Sequence, residues 1–109
     1  MSKYTVIIAE DEELPREALL ALLRGRKDLE VVAAAEDGAQ AEALVNEHRP
    51  DLLITDISMP HKTGVEVVES LSRMPYVIFT TSYDHFAVRA FEHGAVDNIV
   101  KPVLAAANA

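Results

Sequence analysis

Oxygen-bearing and basic side chains stand wherever an apolar segment of this chain runs out. Glu10 and Asp11, then Glu12 and Glu13, follow "YTVIIA"; Asp56 closes "DLLITD"; Thr80, Thr81 and Ser82 end "YVIFTTS"; Lys101 precedes Pro102 in "NIVKP". Two carboxylates about 5 Å apart repel by roughly 3 kcal/mol at an effective dielectric near 20. Glu10, Asp11 and Asp56 brought together would therefore call for a cation. Hard oxygen donors suit Mg²⁺, which takes one or two carboxylates together with waters and a phosphate. Three negative charges against Mg²⁺ and Lys101 sum to zero, a site poised to receive a phosphoryl group. One carboxylate would be the nucleophile and form an acyl phosphate. Each residue also has an ordinary use. An Asp after a strand commonly caps a helix or forms a turn. "EDEE" could simply complement a helix dipole, Thr81 could be a plain strand residue, and Lys101 could be solvated.

The elements that must position these residues follow from periodicity. "YTVIIA", "LEVVAAAE", "DLLITD", "YVIFTTS" and "AVDNIVKP" read as strands, short, apolar and rich in β-branched residues. Amphipathic stretches lie between them. In "ELPREALLALLRGRK" the spacing predicts a stripe of Leu14, Ala18 and Leu22, with Leu19 and Leu23 beside it. "GAQAEALVNEHRP" is a second helix closed by Pro50. "TGVEVVESLSR" is a third, with Val65, Val68 and Leu71 on one side, and "DHFAVRAFEHG" a fourth. The β-α alternation implies a parallel sheet covered on both faces. Ligands of such sheets bind beyond the carboxyl ends of the strands, where the acids, the hydroxyls and the amine fall.

With 109 residues the chain reads as one domain. A net charge of −8 argues against this segment gripping nucleic acid or an anionic membrane by itself. The absence of cysteine excludes thiol catalysis, disulfides and thiolate metal sites, and fits a cytoplasmic setting. No signal peptide or membrane-length apolar run is evident. His48, His61, His85 and His93 lack a ligand-like spacing and read as surface residues.

"IIAEDE", "DLLITDISMP", "FTTSYDHFAVRAF" and "GAVDNIVKP" together resemble the receiver domain of two-component response regulators. The resemblance covers nearly the whole chain, read as one receiver over residues 1–109, and "TTSYDHFAVRAFEHGAVD" looks most like the LytR/AlgR (LytTR-associated) type. It implies an α/β, flavodoxin-like (CheY-like) doubly wound sheet of strand order 2-1-3-4-5. It also implies roles. Asp56 would be the phosphoacceptor; Asp11, Glu10, Asp56 and the Ser58 backbone carbonyl would hold Mg²⁺; Thr81 and Lys101 would contact the phosphoryl group; Ser82 would offer its backbone N–H. The Lys101–Pro102 bond would be cis. Ser58 and Tyr83 would tune hydrolysis, Tyr83 shielding the phosphoryl group and prolonging its life. A sensor histidine kinase would be the donor, and the face of helix 4, strand 5 and helix 5 the switched surface. DNA binding would belong to a separate effector domain.

Two features depart from that pattern. Asn98 stands where the family usually has Tyr or Phe, which puts the coupling from Thr81 to the output face in question. After Pro102 only "VLAAANA" remains where a fifth helix is expected. The favoured explanation is a chain cut before its last helix and effector domain; the alternatives are a core completed by dimerising or swapping elements, or a substituting tail. Exposed apolar residues of "TVII" and "NIV" would then favour a homodimer or other self-association. A receiver that binds or dimerises without phosphorylation is the alternative function. A phosphatase of the haloacid dehalogenase type would need an acid where Ser58 stands, and a nucleotide-binding domain would need a Gly-rich loop after the first strand.

Overall fold

The computed structural model describes residues 3–81 and 97–100, the last four and Thr81 by their backbone. The elements run β1 (Tyr4–Ala9), α1 (Glu13–Arg24), β2 (Leu29–Ala35), α2 (Gly38–His48), β3 (Leu52–Asp56), α3 (Gly64–Ser70), β4 (Tyr76–Thr81) and β5 (Asp97–Val100). All five strands are parallel, in the order β2-β1-β3-β4-β5. This is the flavodoxin-like order. The expected fourth helix, the fifth helix position and the Lys101–Pro102 bond lie outside the described residues.

Strand alternation sorts the apolar side chains onto two faces. Ile7, Ala9, Leu53, Val77 and Phe79 pack with Ala41 and Val45 of α2 and Val67 and Val68 of α3. Val6, Ile8 and Ile54 pack with Leu19 and Leu23 of α1. The chain leaves β1 toward β2 and later returns past it to β3. Right-handed crossovers therefore place α1 and α2 on opposite faces. The direction reverses between β1 and β3, and a crevice opens above their carboxyl ends.

Three details differ from what the sequence leads one to expect. The buried stripe of α1 is Leu19 and Leu23, whereas Leu14 is 81% exposed. Leu14 lies in the first turn of α1, outside the core cluster that Leu19 and Leu23 join. On α3, Val67 is fully buried beside Val68, while Val65 and Leu71 pack at the margin. The residues Val6, Ile7 and Ile8 of "TVII" are fully buried. They lie on a central strand flanked by β2 and β3 and covered from both sides, so they offer no surface for association. The "TVII" part of the expected apolar patch is therefore absent, while the side chains of "NIV" lie outside the described residues.

Local chemistry fixes the helix starts. Asp37 caps α2, its carboxylate accepting from the Gln40 N–H at 2.8 Å. Thr63 and Glu66 form a capping box at α3: Thr63 Oγ1 accepts from the Glu66 N–H at 3.1 Å, and Glu66 Oε1 accepts from the Thr63 N–H at 2.9 Å. Arg49 closes α2 in the left-handed region, with φ 48°. His48 and His61 are exposed, as expected of surface residues.

Candidate phosphoacceptor and metal site

Alternation continues past the apolar rows. Ile8, Ile54 and Ile78 lie in register across β1, β3 and β4 and pack on the α1 face. Two residues on, that face presents Glu10, Asp56 and Thr80, with Asp56 and Thr80 direct register partners. Glu10 and Thr80 are fully buried and Asp56 is 6% exposed. An acid thus stands where an apolar strand runs out because the next row of the sheet is polar. Asp11 joins from the β1–α1 loop: carboxylate oxygens of Glu10, Asp11 and Asp56 all lie within 4.8 Å of one another.

The loop after β1 is held by its own first acid. Glu10 Oε2 accepts from the Glu12 N–H at 3.1 Å, at the start of α1. Arg16 Nη1 donates to the Glu10 carbonyl at 3.0 Å, and Nη2 lies 3.9 Å from Glu36. The Arg16 side chain is only 14% exposed, a guanidinium folded back from α1 onto the strand end. Helical periodicity assigns Arg16 to the outer surface. A six-residue contact from helix to loop has no periodic signature.

The loop after β3 is pinned at several points. Ser58 N–H donates to Asp56 Oδ1 at 3.3 Å, which orients the carboxylate. Asp56 therefore serves as a turn former as well as a member of the acid cluster. Ile57 N–H donates to the Thr80 carbonyl at 3.2 Å, and Gly64 N–H to the Ile57 carbonyl at 2.7 Å. Gly38 N–H donates to the Pro60 carbonyl at 3.3 Å. Gly64 lies so close to the Asp56 carbonyl, and Gly38 to the Lys62 backbone, that neither site has room for a Cβ. Lys62 Nζ reaches Glu42 Oε1 at 2.6 Å. That hydrogen bond, followed by one from Ser70, holds the Glu42 carboxyl below its ordinary range. His61 takes φ 69°, which turns the chain between these anchors.

Of the residues expected at the site, Glu10, Asp11 and Asp56 are brought together, and Ser58 lies exposed on the adjoining loop. Thr81 ends β4, its Cα paired with Val100 of β5. Asn98 pairs with Phe79. The side chains of Thr81 and Asn98, and residues Ser82, Tyr83 and Lys101 altogether, lie outside the described residues. The three carboxylates fit a hard divalent cation: all donors are oxygen, they converge on one point, and two of the three are buried. Among the described residues no helix is long and apolar enough to cross a membrane.

Comparison with known proteins agrees with this geometry. Residues 6–107 match the model of the response regulator receiver domain. The chain is similar to the transcriptional regulatory protein BtsR of Salmonella typhi, 41% identical over 100 residues, covering 90% of this chain and 42% of that protein. It is 42% identical over 104 residues to an uncharacterized response regulatory protein of Vibrio cholerae, covering 92% of this chain and 40% of that one. Among solved structures, the receiver domain of the putative response regulator NarL of Mycobacterium tuberculosis superposes with a TM-score of 0.87 at 27% identity, covering 99% of this chain and 98% of that one. The chain thus spans less than half the length of these two curated relatives. None of these names carries the LytR/AlgR subtype, which is not supported beyond the resemblance of residues 80–97. With its fold, its acid cluster and a family match over most of its length, this chain belongs to the response regulator receiver domain family.

Proposed function

We propose that this receiver takes a phosphoryl group onto Asp56 from a sensor histidine kinase, with Mg²⁺ held by Glu10, Asp11, Asp56 and the Ser58 carbonyl. The observation that carries this reading is the convergence of three carboxylates at the β1/β3 crevice. Bound there, Mg²⁺ would neutralise charge on the phosphoryl oxygens.

The chain's own residues supply the rest. The Ser58 N–H orients the Asp56 carboxylate for in-line attack on the phosphorus of a phosphohistidine. An oxygen–phosphorus bond forms as the phosphorus–nitrogen bond breaks, and the departing imidazole keeps the electron pair. Thr81, Ser82 and Lys101 would receive the transferred group. The receiver acts as a signalling module that assists its own phosphorylation. The phosphorylated form would bias the surface of helix 4, strand 5 and helix 5. Output through a separate DNA-binding domain, which controls transcription, is the natural consequence. A sequence resemblance of LytR/AlgR type is its only support at the level of subtype. These roles suit a cytoplasmic protein and need no direct nucleic-acid contact by this domain.

The test is an intact-mass spectrum after incubation with Mg²⁺ and acetyl phosphate. One phosphoryl adduct is expected in the native chain and none in Asp56→Asn. A folded chain that binds Mg²⁺ yet takes no adduct would instead be a receiver that works by binding alone.

A further inference from the structure

Thr80 is fully buried, and its Oγ1 has no hydrogen-bond partner among the described residues. A threonine on the adjoining strand β3 sets the contrast. Thr55, equally buried, donates its hydroxyl to the Asp56 carbonyl at 3.0 Å. Thr80 stands in the polar row with Asp56 as its direct register partner. Register partners on neighbouring strands lie about 4.8 Å apart, with side chains side by side on one face. The slot below it in the same strand holds Ile78, in an all-isoleucine row. A valine would fill the Thr80 slot with the same shape. The hydroxyl therefore contributes nothing to packing, and an unpartnered buried hydroxyl opposes folding. Threonine has staggered χ1 wells, and a single rotation re-aims Oγ1 without moving the backbone.

We propose that Thr80 is a positioning residue of the phosphoacceptor site. Its hydroxyl donates a hydrogen bond to the Asp56 carboxylate when that group takes up its working geometry with a cation. This inference rests on the reading of Asp56 as phosphoacceptor, and it adds a fourth side chain to the Glu10, Asp11 and Asp56 cluster. The Thr80 contact forms only in the working state. Stability at rest and function should therefore move in opposite directions when the hydroxyl is removed.

The test compares Thr80→Val and Thr80→Ser with the native chain by thermal melting without metal, by calorimetric Mg²⁺ titration, and by the rate of adduct formation from acetyl phosphate. Thr80→Val should melt about 4 °C higher without metal. It should bind Mg²⁺ more weakly and acquire the adduct about tenfold more slowly, the loss of one hydrogen bond to a charged group. Thr80→Ser, which keeps the hydroxyl, should stay within about twofold of the native rate. Equal Mg²⁺ affinity and equal rate in Thr80→Val would overturn the proposal and leave Thr80 a packing residue. If the native chain takes no adduct, the reading of Asp56 fails. The Mg²⁺ titration then decides the Thr80 contact: weaker binding in Thr80→Val supports it, and unchanged binding ends it.

Discussion

Lys62 Nζ lies 2.6 Å from Glu42 Oε1, and this pair fastens the loop that follows Asp56 to the side of α2. The Lys62 hydrogen bond depresses the Glu42 pKa from its ordinary 4.5. A carboxyl with a depressed folded-state pKa adds stability above its unfolded pKa. That stability is lost as pH falls through the folded value. Glu42→Gln should therefore melt below the native chain at neutral pH, by an amount on the order of 0.5 kcal/mol for a partly exposed pair. The gap should narrow as pH falls below the ordinary 4.5 and vanish below the depressed folded-state value. Paired melts at pH 7 and pH 3.5 check this, and a gap that does not change with pH would contradict it.

The same loop leaves no room at Gly38. Its Cα faces the Lys62 backbone and its N–H donates to the Pro60 carbonyl. Gly38→Ala should cost about 2–3 kcal/mol, because the obstructing atoms are largely backbone and cannot step aside. Chemical denaturation measures the loss. A cost below about 0.5 kcal/mol, typical of a surface change, would mean that the loop is not held against α2.

Three carboxylates within 4.8 Å of one another oppose folding when no cation is present. Asp56→Asn removes one of these charges. Without divalent metal it should raise the melting temperature, and addition of Mg²⁺ should favour the native chain more than the variant. The expected gain is about 1.4 kcal/mol at ten times the dissociation constant. Melting curves with and without Mg²⁺ in both proteins make the comparison. A native chain indifferent to millimolar Mg²⁺ would count against a metal site.

On α1, truncation separates the buried stripe from the exposed turn. Leu19→Ala should cost about 3 kcal/mol, since Leu19 is 2% exposed in the core with Val6 and Ile8. Leu14→Ala should lie within about 0.5 kcal/mol of the native chain. Urea midpoints distinguish the two. The reverse ranking would mean that α1 packs by the Leu14 stripe that its spacing predicts.

That stripe shows where sequence reading stops. A hydrophobic period of 3.6 gives the direction of a helix's inner face only to within a residue or so. Which turns of α1 meet the core decides Leu14, and that is tertiary information. The strands were legible because five short β-branched runs alternate with amphipathic stretches. The acids were legible because they stand at strand ends. Thr63 and Glu66 carry the spacing of a capping box within "TGVE". Arg16, Lys62 and Glu42 carry no such signal. Their contacts join segments 6 to 20 residues apart, and a charged residue on a helix ordinarily reads as solvated. Thr80 was visible at its strand end, yet its distinction is burial without a partner, which only packing reveals.

If Asp56 is the phosphoacceptor, Asp56 itself carries the acyl phosphate. The direct measurement is a peptide map after acetyl phosphate and Mg²⁺ treatment followed by borohydride, which reduces an acyl phosphate to an alcohol and so marks the modified aspartate as homoserine. Homoserine is expected at position 56 alone, dependent on Mg²⁺. Homoserine at Asp11 instead, or none at position 56 in a folded chain, would contradict it.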